Sequence, residues 1–137
     1  MPALRAFRRA WPQAEIALIG LPWASEFADR FRQYVNRFYP FPGYPGLPER
    51  EPALELIPGF LAQMQAARFD VAMQLHGSGS IVNELVALFG ARQSCGFYTD
   101  GSWRPAQGGY VSWPTTGLEI DRLLALVRHL GLPCADA

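Results

Sequence analysis

The chain has 137 residues, half of them apolar and 18% charged, which is the make-up of one globular domain and excludes a disordered segment. Its twelve basic residues, all arginine, balance twelve acidic ones, so no overall positive field draws in nucleic acid or an anionic surface. Cys95 and Cys134 are the only cysteines; with two histidines they offer neither a disulfide framework nor zinc-ligand spacing.

Pro2 at a first helical position, the spacing of Leu4, Phe7 and Trp11, and Pro12 as a stop predict a short amphipathic helix. Residues 15–21 form a nearly continuous apolar run, the pattern of a parallel strand buried on both faces. Ser25 is placed to cap a helix carrying Phe27, Phe31 and Tyr34, and residues 35–38 follow as a second strand. Residues 38–48, FYPFPGYPGLP, are too rich in proline and glycine for regular structure and predict a rigid loop. Its Tyr39, Phe41 and Tyr44 suit either a sugar- or lipid-contacting surface or a satellite cluster packed on the domain.

Pro58 opens the next helix, with Phe60, Leu61 and Met64 on its apolar side, and residues 70–75 make a third strand. After the segment 76–80 comes a helix with Ile81, Leu85, Leu88 and Phe89 inward and Gly90 as its stop, then a fourth strand over 93–98. Residues 99–115 read as a loop in which Trp103 and Trp113 serve as packing anchors. Thr116 and Glu119 form a capping box for a last helix whose stripe is Ile120, Leu123, Leu124, Val127 and Leu130. His129 falls at the negative end of that helix, and Arg92 and Arg104 flank the fourth strand as solvated or phosphate-binding cations.

Strands alternating with helices mean parallel βαβ units, an α/β Rossmann-like sheet with helices on both faces, in a single domain over 1–137. Yet the pattern opens on a helix, so the sheet is expected to lack its first strand, which belongs between strands 15–21 and 70–75. Filling that place requires either direct pairing of those two strands or a borrowed strand in a swapped or edge-paired homo-oligomer, and the balance favours self-association.

Ligands of open α/β sheets bind at the carboxyl ends of the strands, which singles out His76, Gly77, Ser78, Gly79 and Ser80, with Asn83 one turn on. The glycines let a ligand approach the main chain, the serines donate to a phosphate or sugar hydroxyl, and His76 can hold an anion or move a proton. An ordinary strand-to-helix turn with Ser80 as its N-cap fits the same residues. The segment is neither a G-x-S-x-G elbow nor a G-x-G-x-x-G fingerprint.

Taken in order, the helix 2–12, the strand 14–20, the strand and loop 69–79, the Gly90-Ala-Arg92 and Gly96-Phe97 pairs and the helix 119–133 resemble the family 9 glycosyltransferases, known best from bacterial heptosyltransferases of lipopolysaccharide assembly. The resemblance spans nearly the whole chain and rests on order and spacing rather than on one motif. It implies one half of a two-domain GT-B-type enzyme, inverting, metal-independent and without a cofactor, that moves heptose or a similar sugar from a nucleotide-sugar. The acceptor would be a lipid-linked saccharide, bound by this N-terminal half through residues 76–80 and Asn83. The donor would sit on a second domain after Ala137, and the family's catalytic aspartate would lie before Met1, so this chain alone is expected to be inactive.

No nucleic-acid partner is implied. The longest strongly apolar stretch, residues 16–24, is too short to span a bilayer, and the N-terminus lacks a signal peptide's hydrophobic region. A cytoplasmic location follows as the expectation, with peripheral contact to the membrane left open. The rival readings are a non-enzymatic binding module and a flavodoxin-like domain; against the latter, Asp70 begins its strand instead of ending it.

Overall fold

The computed structural model describes residues 2–48, 50–106 and 108–132, so Cys134 lies outside it. Among the described residues five α-helices and five strands follow one another, alternating except that the fifth strand directly follows the fourth, and every strand pairing is parallel. Strand β1 (Ala17–Gly20) pairs with β2 (Arg37–Pro40), and β3 (Val71–Met73), β4 (Gln93–Tyr98) and β5 (Gly109–Ser112) form a second sheet in that order. The result is an α/β domain of parallel sheets flanked by helices, compatible with a Rossmann-like fold.

Helices cover both faces. Helix α1 (Pro2–Ala10) buries Ala3, Ala6 and Phe7 against Val127 of α5 (Glu119–His129), and Ile16, Met73 and Leu75 pack onto the same cluster. The opposite cluster joins Phe60 and Met64 of α3 (Ile57–Ala66) to Val82, Leu85 and Val86 of α4 (Ile81–Ala87), with Ala72 at its centre and Ile19 and Tyr39 against it. Each cluster thus touches both sheets. Among the described residues, however, no ladder or backbone hydrogen bond joins β1 to β3.

Direct pairing of β1 with β3, one of the two ways of completing the sheet weighed from the sequence, is absent among the described residues, and burial marks the absence. A continuous apolar run predicted a strand buried on both faces, but all four residues of β1 are half-exposed because one edge has no neighbour.

Arg8 fastens α1 to the amino half. Its guanidinium donates to the Ala14 carbonyl (2.7 Å), the Tyr34 carbonyl (3.2 Å) and Asn36 Oδ1 (2.6 Å), and Asn36 Oδ1 also accepts from the Ile16 amide (2.8 Å). Charge-assisted bonds of this kind contribute about 1.5–3 kcal/mol each, whereas the exposed Arg37–Glu15 ion pair nearby is worth no more than about 1 kcal/mol.

Several local expectations are corrected. Helix α2 (Ala24–Arg30) starts one residue before Ser25, from a turn in which the Ala24 amide donates to the Leu21 carbonyl (2.8 Å), so Ser25 is inside the helix and Trp23 sits at its cap without a side-chain bond. The Thr116–Glu119 box does not form either; Leu118 is the cap residue of α5, extended and without a side-chain bond. Residues 38–40 belong to β2 and not to the loop, because Pro40 on an outer strand needs no ladder donor. Strand β5 lies inside the stretch read as loop, reached from β4 without an intervening described helix. Leu88 (44% exposed), just past the end of α4, and Ile120 (51%), in the first turn of α5, face outward, while Leu126 is fully buried.

Arg92 lies 3.8 Å from Asp70, both exposed, and Arg104 stacks on the Tyr98 ring at 3.7 Å. No helix among the described residues is long and apolar enough to cross a membrane.

Cys95 sits in the middle of β4, and burial pushes its thiol up to about 11 from an ordinary 9.0. Burial likewise raises Tyr110, whose hydroxyl meets Ser94 Oγ at 3.0 Å. A group whose folded pKa is raised stabilises the fold fully below its unfolded pKa and loses that contribution as pH climbs through the folded value. Denaturant titrations should therefore show stability falling between pH 9 and 11, by up to about 3 kcal/mol for the thiol, and Cys95→Val should remove that share. At pH 8 the Cys95 peptide should resist alkylation in the folded chain, as mass spectrometry would show.

Candidate functional site

All strands of each sheet run together, and one contact shows that the two sheets share a carboxyl rim. Gly46, in the loop that follows β2, lies so close to Ile81, the residue that opens α4 after β3, that a Cβ there would meet the Ile81 side chain. The rim therefore gathers Leu21 to Trp23, the loop 41–48, the segment 76–80, and residues 99–104 and Trp113 after β4 and β5.

At the centre of this rim a buried polar network holds the segment 76–80. Strand β3 leads into Gln74, a polar residue in an apolar run, which is 2% exposed; Asn83, in the first turn of α4, is fully buried. An amide without partners in such a place costs about 1–3 kcal/mol, so both must be satisfied. They are. Asn83 Nδ2 donates to the Phe97 carbonyl (2.9 Å), Gln74 Nε2 donates to Asn83 Oδ1 (3.3 Å) and reaches the same carbonyl (3.4 Å), and Gln74 Oε1 accepts a short bond from the His76 amide.

The glycines around the network are dictated by it. A Cβ on Gly79 would come within 2.4 Å of both Asn83 Nδ2 and the Phe97 carbonyl oxygen, and Gly79 has φ +100°. A Cβ on Gly96 would lie 2.8 Å from that of Gln74. Ser80 follows with φ 67° and ψ −124°, a conformation that L-residues adopt only when their surroundings impose it.

The residues singled out in the sequence are thus brought together after β3, but in two roles. His76 and Ser80 are exposed, and Gly77, Ser78 and Gly79 are partly exposed, so these five can meet a ligand. Asn83 faces inward and positions the loop. Ser80 is the residue before α4 but makes no capping bond with its side chain. Gln74 carries the network without having been assigned a role; its signal was present, since an amide in an otherwise apolar strand demands an internal partner.

Aromatic side chains divide the same way. Tyr39, Phe41 and Tyr44 pack onto the α3–α4 cluster, with Phe41 edge-on to Phe60 at 5.7 Å. Trp113 packs edge-on to Phe97 at 5.0 Å under the Arg122 guanidinium, as an anchor. Trp23 (73% exposed) and Trp103 (48%) stand open on the rim.

A hollow of about 660 Å³ lies instead at the amino ends of β3 and β4, between Val71, Ala87, Ala91 and Pro105. Its charged walls, Asp70 and Arg92, are exposed and lean on each other, whereas the rim loop is held by buried amides; the rim is therefore the better site. Among the described residues no group of three or more His, Cys, Asp or Glu side chains gathers to hold a metal ion.

Gly79→Ala should destabilise the chain more than Gly77→Ala. The first drives a Cβ into a carbonyl and adds strain, about 2–4 kcal/mol together, while the second meets nothing within 4 Å and carries only the left-handed strain of about 1 kcal/mol. Asn83→Asp, which turns an acceptor toward the Phe97 carbonyl, should cost about 3 kcal/mol. Denaturant unfolding of the three variants checks the order. Compared with known proteins, the chain matches no family model, no curated protein and no solved structure.

Proposed function

We propose that this chain is the acceptor-binding half of a GT-B-type glycosyltransferase of the family 9 kind, receiving a lipid-linked envelope saccharide at the carboxyl rim. The observation that carries the reading is the 76–80 segment, fixed from beneath by Gln74 and Asn83 yet open above. Such a loop offers what a saccharide needs: hydroxyl and imidazole groups on a backbone close enough to be approached, with no rearrangement cost when it binds. The exposed Trp23 and Trp103 on the same rim supply flat apolar faces for pyranose rings. The sequence resemblance adds the reaction class, and in this reading the nucleotide-sugar sits on a second domain facing the rim.

In the transfer itself the parts of this chain are binding and orientation. Ser78 and Ser80 donate to acceptor hydroxyls and His76 fixes a neighbouring anionic or hydroxyl group, so that the acceptor oxygen faces the donor. The protein would work in the cytoplasm, at most peripherally on the inner face of the cytoplasmic membrane.

Nuclear magnetic resonance titration with a deacylated, phosphorylated core oligosaccharide should shift the amides of residues 76–80. His76→Ala or Ser78→Ala should weaken that binding about tenfold, the worth of one good hydrogen bond. ADP-heptose and UDP-sugars should leave the same amides unmoved. If a nucleotide-sugar bound and the oligosaccharide did not, the reading would give way to a stand-alone nucleotide-binding module.

A further inference from the structure

The end of the domain opposite the rim has a charge of its own. Helices of parallel βαβ units run against the strands, so the last turns of the helices and the first residues of the strands share one end. Two contacts show it. Gln65 Nε2, in the last turn of α3, donates to the Leu88 carbonyl just past α4 (2.9 Å), and a Cβ on Gly109, which opens β5, would meet Leu130 just past α5. The last turns bring Arg8 and Arg9 from α1, Arg30 from α2 and Arg128 from α5 to this end. Arg37, Arg68 and Arg92 stand at the starts of β2, β3 and β4. With Arg32 just past α2, eight of the twelve arginines lie here, against three acidic residues, Glu15, Asp29 and Asp70, each in an exposed ion pair with one of them. At the rim, Glu26, Glu55, Glu119 and Asp121 occupy first helical turns.

The zero net charge of the chain therefore hides two unlike ends. Helix α5, eleven residues long, holds them about 15 Å apart, roughly two screening lengths at physiological salt, so the acidic rim does not cancel the basic end for a partner that touches it. Helix dipoles account for part of the pattern, since cations are favoured in last turns. They do not account for Arg37, Arg68 and Arg92, because strands carry almost no net dipole. Arg68 stands out further. The turns that end α4 and α5 place glycine in the left-handed region, Gly90 (φ 68°) and Gly131 (φ 74°), whereas the turn that ends α3 places Arg68 there (φ 52°). An exposed arginine thus occupies a conformation that favours glycine, and among the described residues its side chain makes no ion pair or hydrogen bond that would reward the fold.

We infer that this basic end is the docking surface for an acidic polypeptide segment of a partner protein, whose carboxylates meet Arg37, Arg68 and Arg92. Guanidinium groups suit carboxylates in planar, paired geometry, and Glu15, Asp29 and Asp70 already pair in this way with their arginine neighbours. Other polyanions fit less well. A bilayer would draw on apolar anchors set among the cations, but the most exposed tryptophan and leucine, Trp23 and Leu118, lie at the opposite end. A nucleic acid would be repelled by the three interspersed carboxylates, and Trp11, the tryptophan of this end, is already stacked on Phe7. The surface is separate from the 76–80 loop, so the partner and the rim ligand would bind without competing.

Fluorescence anisotropy of the 137-residue chain with a labelled peptide of alternating Glu and Ser, about ten residues so as to cross the end of the domain, tests the inference. The peptide should bind saturably at low salt and at least about tenfold more weakly at 1 M, where screening is nearly complete. Replacing Arg37 and Arg92 by Gln together with Arg68→Gly should weaken binding at least about tenfold, while Arg50→Gln, on the loop before α3 at the rim, should leave it unchanged. Arg68→Gly alone should bind about threefold more weakly yet unfold at no lower denaturant concentration, since glycine suits that backbone; charge is thereby separated from folding. The proposal would be overturned by no saturable binding, by an equal loss from Arg50→Gln, or by unchanged binding in the triple variant. It would also fall if hexathymidylate or phosphatidylglycerol vesicles bound more tightly than the peptide, which would make this end a nucleic-acid or a membrane face.

Discussion

Because no backbone ladder connects β1 to β3, the task of keeping two sheet segments in one layer falls to side-chain packing, above through α1 and below through α3 and α4. Ordinary parallel sheets divide that task, with hydrogen bonds setting the strand spacing and helices sealing the faces. Here Phe7, Phe60 and Met64 do both. Arg8 adds the bonds that fix the angle of α1, to the Ala14 carbonyl and to Asn36.

The site inherits its rigidity from a second, smaller constraint. Gln74 and Asn83 are polar groups placed where water cannot reach, and satisfying them fixes in turn the Phe97 carbonyl, the His76 amide and the glycine at 79. The loop's form is therefore decided from below, by β3, β4 and α4.

The sequence made the larger pattern readable for a physical reason: β1 and β3 lie in short apolar runs, and α3 buries Phe60 and Met64, two residues of the side that its spacing predicts. The opening helix was equally readable, from Pro2, Phe7 and Pro12, and α1 is there. What escaped was set by tertiary context. Residues 109–112, Gly-Tyr-Val-Ser, carry only two apolar side chains in a stretch full of glycine, proline and tryptophan, and their strand exists because the edge of β4 is there to pair with. Ser25 and Thr116 have the right side chains for caps, yet backbone turns one or two residues away decided where their helices begin. The loop 76–80 was legible as a rim segment from its place after β3, whereas the inward turn of Asn83 depended on a carbonyl fourteen residues distant.

The strand pairings also order the folding of the chain. Among the described residues each is local in sequence: Ala17 meets Arg37, Val71 meets Gln93, and Cys95 meets Gly109. Each half can close its sheet through crossovers of modest length, at small entropic cost and without waiting for the other. The one distant embrace among the helices, Ala3, Ala6 and Phe7 of α1 against Val127 of α5, joins opposite ends of the described chain and so can form only when both halves stand. That clasp and the α3–α4 cluster, which Ile19, Tyr39 and Phe41 enter from the amino half, together couple the two halves.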